Sequence, residues 1–326
     1  MIITKILSVK LHPTTLETDT LSSFEKLQWT RNGNTILWLD VSEYEKIDDL
    51  QVLAKNFSLH PLALDDCVHV RQRPKIDDFN ENLFLICRTV SQREKQYTEG
   101  HQIGIFKGKN YLITIHKECI PPLDRVLKEI MRNPEVVERS SSFLLYRILD
   151  AIVDDFEDAV RTVEEMECVV GNDVLKNPPP EKVLDLIYTN RSNLLLISRF
   201  LRPQSHVVHH LAKGDYQLVN SQATPYFRDT YDHTLRTLER VDSLIDMNTG
   251  SLSIYSSSIS NGMNQVIKLL TVISTIGVPL TVLVGWFGMN IEMVGTEWPL
   301  GFAIVLLMLI GLITVTILIF RRKRWL

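Results

Sequence analysis

Charge is missing from two stretches of this chain. Residues 269–287 (LLTVISTIGVPLTVLVGWF) and 298–320 (WPLGFAIVLLMLIGLITVTILIF) contain no Asp, Glu, Lys or Arg. Helices of that length span a hydrocarbon core of ~30 Å, longer than a buried helix of a soluble domain needs to be. Positive charge is also absent between them, where residues 288–297 hold Glu292 and Glu297 but no base. The bases stand on the other side: Lys268 before the first stretch, and Arg321, Arg322, Lys323 and Arg324 after the second. The positive-inside rule therefore places both chain ends in the cytoplasm and the short loop outside. The opening MIITKILSVKLHP reads as lacking a secretory signal, because Lys5 and Lys10 interrupt any apolar run.

Other absences narrow the function. There are four cysteines, Cys67, Cys87, Cys119 and Cys168, and no CxxC pair. In a reducing cytosol they read as small buried hydrophobes, not as bridges or metal ligands. All but two of the 39 acids and all but four of the 35 bases precede residue 269, so the soluble part is acidic and no nucleic-acid partner is expected. No Walker loop, nucleophile elbow or paired acid/base motif occurs. We therefore expect neither an enzyme nor an ATP-driven pump, and no organic cofactor. Internal repeats and low-complexity segments are absent.

What is present divides the chain. Residues 1–139 read as a cytosolic α/β domain, with strand-like runs at 35–41 (TILWLDV), 83–90 (LFLICRTV), 103–106 and 111–116. The last two flank Lys107-Gly108-Lys109-Asn110, a hairpin signal. Residues 48–57 and 121–131 read as helices. Residues 140–223 carry helical periodicity and a dense acidic face at 150–167, broken by Asn177-Pro178-Pro179-Pro180, and read as a helical hairpin. Residues 224–287 show no convincing breaker. They predict one stalk helix of about 63 residues, spanning about 95 Å, that runs into the first transmembrane span. Residues 288–297 form the outer loop, and 298–326 the second span and basic terminus. A helix of that length needs support along its length, from the hairpin and from copies of itself.

The long helix carries a stripe. Asn264, Ile267, Thr271, Ser274, Val278, Thr281 and Gly285 follow steps of three and four and fall on one face. Most of these residues are small or polar. Such a stripe packs against a neighbouring helix, or it lines a watery path. Enclosing a path takes several copies around an axis, since one hairpin of two helices cannot. The stripe has no carboxylate, only neutral amides and hydroxyls. That chemistry suits Mg²⁺, which sheds its waters reluctantly and can be held through them. At the outer mouth, side-chain oxygens such as that of Asn290 would grip those waters, and Glu292 and Glu297 would raise the local cation concentration.

The triplet Gly288-Met289-Asn290 after a span, the acidic loop, the second span and the basic end closing on Arg324-Trp325-Leu326 resemble the CorA family of magnesium/cobalt transporters. Residues 60–66 (HPLALDD) with Gln72-Arg73-Pro74-Lys75 resemble the family's HPL-x-LED…QRPK segment. Residues 226–233 (YFRDTYDH) are similar to the start of its stalk helix, and 264–271 (NQVIKLLT) with Pro279-Leu280-Thr281 to its pore helix. The likeness runs from about residue 35 to the end. It implies a homopentameric, funnel-shaped channel in the cytoplasmic membrane of a prokaryote, its pore lined by the stalk helix. In that channel Gly288, Met289 and Asn290 form the ion-selecting mouth, Asn264 a lower polar ring, and Ile267 and Leu270 a hydrophobic constriction near Thr271. The family often has Met at constriction positions where this chain has Ile267 and Val278, and Tyr where Phe287 precedes the glycine. The resemblance further implies that Asp66 and Asp229 bind a regulatory Mg²⁺ between subunits, and that Mg²⁺ and Co²⁺ are the transported ions. The basic residues Lys268 and Arg321–Arg324 would ring the inner mouth or anchor it to anionic lipid. Two other readings stand beside this one: a zinc-transporting relative of the same architecture, and a membrane-tethered sensor or scaffold. His206, His209 and His210 read as surface histidines first and as a transition-metal site second.

Overall fold

The computed structural model describes residues 5–11, 16–21, 35–42, 44, 50–69, 72–93, 97–133, 140–176, 178–288 and 298–322. The strands are β1 (Lys5–Leu11), β2 (Leu16–Leu21), β3 (Ile36–Ser42), β4 (Lys75–Asp78), β5 (Leu83–Arg93), β6 (Tyr97–Lys107) and β7 (Tyr111–Ile115). The helices are α1 (Gln51–Phe57), α2 (Pro61–Val68), α3 (Pro121–Arg132), α4 (Ser141–Val174), α5 (Lys182–Lys213), α6 (Thr224–Gly288) and α7 (Trp298–Arg322). The chain divides into two units. Residues 1–172 and 182–251 form the first, and 173–181 and 252–326 the second.

The first unit is built on one seven-stranded sheet in the order β2-β1-β3-β7-β6-β5-β4. Every neighbouring pair is antiparallel except β3 and β7, which run parallel. Alternate side chains of each central strand enter two different cores. Trp38, Leu85, Ile105 and Leu112 join the helices after α2, down to Leu244 of α6, whereas Leu39, Ile86, Phe106 and Ile113 face α1 and α2. Because both faces are covered, the central strands read as unbroken apolar runs rather than alternating ones. The expected β6–β7 hairpin is present, closed where the Gly108 amide donates to the Tyr111 carbonyl at 3.0 Å. A side chain at Gly108 would meet the Tyr111 ring within 2.1 Å, so that turn needs glycine.

Several elements escaped the sequence reading. The β1–β2 hairpin was not expected, although Ile6–Leu11 alternates with the strand period; the run was weighed only as a leader. Strands β5 and β6 extend to Arg93 and back to Tyr97, past the apolar stretch that marked them. Strand β4 is four residues of KIDD on the sheet edge, and its charges keep it from looking like a strand. Helix α2 begins with Pro61 in its first turn, and the His60 ring accepts the Leu62 amide at 3.2 Å as its cap.

The four cysteines were expected to be buried. Cys67 and Cys87 are, and burial pushes both thiols up, Cys87 to about 12. Cys119 and Cys168 are exposed, which corrects that expectation.

In the second unit the α6 segment from Leu252 onward and α7 present large apolar side chains to the outside. Leu269, Leu270, Ile273, Val282 and Trp286 on α6 and Leu307 and Leu318 on α7 are exposed. The apolar window of α6 is long enough to cross a membrane and none of it is buried within the chain, the reverse of a soluble core helix.

Candidate functional site

Helix α6 runs 65 residues without interruption, with Pro279 inside it. Proline lacks an N–H, so the Thr275 carbonyl loses its usual partner there. Asn264, Ile267, Leu270, Ser274, Val278, Thr281 and Gly285 are exposed, and Thr271 is half-buried. The Thr271 hydroxyl donates to the Ile267 carbonyl at 2.7 Å, and the Thr281 hydroxyl to the Gly277 carbonyl at 2.8 Å. Each hydroxyl spends its proton on the helix. Its oxygen therefore faces outward as an acceptor, suited to a cation or to the protons of a cation's water shell. Gly288 closes α6. Met289, Asn290, Glu292 and Glu297 lie outside the described residues, as do Lys323 and Arg324. Lys268, Arg321 and Arg322 are exposed.

Asp66 sits on α2, whose close approach to the sheet depends on Gly104: a side chain there would meet Cys67 Sγ at 2.3 Å. The Gln102 amide donates to the Asp66 carbonyl at 2.8 Å, and its oxygen accepts the Gln72 amide at 3.2 Å. The buried Arg88 guanidinium donates to the Gln72 carbonyl at 2.9 and 3.1 Å. Two strands thus pin the QRPK segment beside α2. Its last residue, Lys75, places its ammonium 2.7 Å from Asp66 and 2.8 Å from Asp77.

Asp229 lies elsewhere, exposed on α6. It adds to the influences, burial first and Asp150 next, that push the nearby Tyr146 hydroxyl up. Among the described residues no hydrogen bond or ion pair joins Asp66 to Asp229 within one chain, and no three His, Cys, Asp or Glu side chains converge as a metal cage.

The acidic run of α4 is in part a solvated face, with Asp154, Asp158, Glu164 and Glu165 exposed and Asp150, Asp155 and Glu157 half-buried. Burial raises Asp150, Asp154 and Asp155, and Asp150 is further raised by its neighbour Asp154. Asp155 pairs with Arg125, and Arg240 of α6 reaches Glu157 and Glu164. Glu167 is wholly buried and accepts hydrogen bonds from Asn190 at 2.8 Å, Asn248 at 3.1 Å and Ser251 at 3.0 Å.

The histidines of α5 do not converge on a ligand. His210 pairs with Asp215 at 2.9 Å, and the His209 ring lies against Tyr231, tilted by 43° with centroids 4.7 Å apart. One polar line went unnoticed in sequence: Ser91 Oγ lies 2.6 Å from His101 Nε2, whose other nitrogen meets Glu118. Ser91 and His101 are diagonal neighbours on β5 and β6, so the line joins two strands. Only their register, which sequence does not print, could have revealed it.

An α/β domain whose last helix continues unbroken into a charge-free, outward-facing apolar segment has the architecture of a membrane-anchored protein. A family model described as "CorA-like Mg2+ transporter protein" matches residues 33–322, and the chain belongs to that family. It is 30% identical over 299 residues to the cobalt/magnesium transport protein CorA of Thermotoga maritima, covering 91% of this chain and 85% of that one. It is 23% identical over 259 residues to the zinc transport protein ZntB of Photorhabdus laumondii, covering 78% and 77%. Its fold is that of the complete CorA magnesium transporter of Methanocaldococcus jannaschii, with a TM-score of 0.84 at 22% identity over the full length of both chains.

Proposed function

We propose that this protein conducts Mg²⁺, and Co²⁺ with it, into the cell through a homopentamer in the cytoplasmic membrane, with both termini inside. The observation that carries the reading is α6: one unbroken helix bearing an outward stripe of neutral oxygens across its apolar segment, in a chain of the CorA family. Five copies of the stripe around an axis would line a path. Hydroxyls whose protons are committed to the helix would meet the ion's waters as acceptors, and Ile267 and Leu270 would close the path when it narrows. Gly288, Met289 and Asn290 would form the mouth, with Glu292 and Glu297 gathering cations outside it and Lys268 and Arg321–Arg324 standing at the inner end. Magnesium held through its water shell needs no carboxylate in the pore. Cytosolic Mg²⁺ bound at Asp66 of one subunit and Asp229 of the next would hold the closed state, and its loss would release it.

Flux decides the reading. In proteoliposomes loaded with a Mg²⁺-sensitive dye, wild-type protein is expected to admit Mg²⁺ and Asn290→Ala to admit at least tenfold less, as expected from loss of a ring of polar contacts at the point of passage. Entry of Zn²⁺ without Mg²⁺ would select the zinc reading, which the similarity to ZntB favours. Absence of any divalent flux would leave a tethered sensor.

A further inference from the structure

Lys75 sits between two carboxylates that are held by different parts of the first unit. Asp66 is fixed by α2, packed over Gly104 and tied through Gln102. Asp77 is fixed by β4, which pairs with β5 at Phe84. The Lys75 ammonium lies over the Phe84 ring, 5.6 Å from its centre, in contact with both acids. The two acids are thus carried by separate elements, α2 and β4, and one ammonium is shared between them. Asp66 is also the less exposed acid, at 19% against 41% for Asp77, so its charge has less water to turn to if the ammonium leaves.

The geometry points to Lys75 as the specificity-determining residue of the Asp66 site: a tethered ammonium that occupies the divalent cation's place when Mg²⁺ is scarce and must be displaced for Mg²⁺ to bind. This rests on the reading above that Asp66 binds a regulatory cation. The charges support the exchange. Two carboxylates and one ammonium leave a net charge of about −1, whereas a divalent cation in the ammonium's place neutralises both acids. Magnesium commonly binds one or two carboxylates and keeps its remaining waters, which this half-open site can accommodate. A monovalent ion gains nothing over the ammonium already present and pays translational entropy to enter, so the exchange selects divalent ions. Asp77 then becomes a second carboxylate of the site from the same chain, and the Mg²⁺ concentration at which the site fills is set by how firmly Lys75 holds on.

The test titrates Mg²⁺ against the thermal unfolding midpoint of the purified full-length protein in detergent at constant ionic strength. Lys75→Gln is expected to lower the half-saturating Mg²⁺ concentration by about three- to tenfold, the range for a partly exposed ion pair. Lys75→Met should act in the same direction, so that a folding defect in one variant does not decide the matter. Lys75→Arg, which keeps the charge, should stay within about twofold of wild type. Asp66→Asn should raise the half-saturating concentration. If Asp66→Asn shifts the curve while neither neutral Lys75 variant lowers it, the exchange is wrong and the Asp66 site survives. If Asp66→Asn leaves the curve where it was, the site and the exchange both fall.

Discussion

At His116 burial disfavours the charged imidazole, and its polar partners favour it. Burial is the largest influence and pushes its imidazole down. The hydrogen bond to Asp40 at 3.0 Å and that carboxylate's charge, with the Glu118 carbonyl and the more distant Asp124, outweigh it and leave the folded pKa above the ordinary 6.5. A raised pKa contributes stability that is complete below the unfolded value and is lost as pH rises through the folded one. The unfolding midpoint of the wild type should therefore decline above about pH 6.5 more steeply than that of His116→Gln. Equal slopes from pH 6 to 8 would refute the pair's contribution. The sequence marked none of this, because Asp40 and His116 meet only through the parallel pairing of β3 and β7. Asp66 stands out in the sequence because it ends a recognisable motif. Its counter-ion does not, although Lys75 closes the neighbouring motif, since nothing in one dimension says that β4 turns its lysine toward α2.

At the scale of elements, Glu167 ties three helices together. It leaves α4, and its partners Asn190 and Asn248 with Ser251 come from α5 and α6. Ser251 is also the last residue of α6 that belongs to the first unit. The carboxylate gathers three donors, so removing it leaves the Asn190 amide and the Ser251 hydroxyl without that partner in a buried place, while the Asn248 amide keeps its bond to the Ile187 carbonyl at 3.0 Å. Glu167→Ala should cost about 2–4 kcal/mol, combining unpaired donors with the space left behind. Glu167→Gln, which keeps the volume and one acceptor, should cost less. Chemical denaturation of the full chain in detergent measures both, and a loss below ~0.5 kcal/mol for the alanine variant would mean that the tie is held by something else. Helix periodicity made α4, α5 and α6 readable in outline, within a few residues of their ends. It could not say which acid of a dense acidic run turns inward, because the residues that satisfy Glu167 are 23 to 84 positions away.

At the scale of the whole molecule, what the sequence showed best was what it left out. The charge-free run of α6 reads in the sequence as long enough to cross a membrane, and its side chains are unburied within the chain. What such a helix packs against was not legible, since the rest of the chain does not cover its apolar window. The energetics of transport belong to this scale as well. The proposed path contains no ionisable group between Lys268 and the outer loop, so it offers no proton to exchange, and no nucleotide motif offers another source of work. Mg²⁺ entry should then draw on the membrane potential alone. Two charges moving inward gain about 4.6 kcal/mol per 100 mV. In proteoliposomes with equal Mg²⁺ on both sides, a potassium diffusion potential that is negative inside should drive net accumulation, and reversing its sign should drive net loss. A flux that ignored the potential but followed a pH gradient would require a titrating group in the path, and the neutral stripe from Asn264 to Gly285 does not contain one.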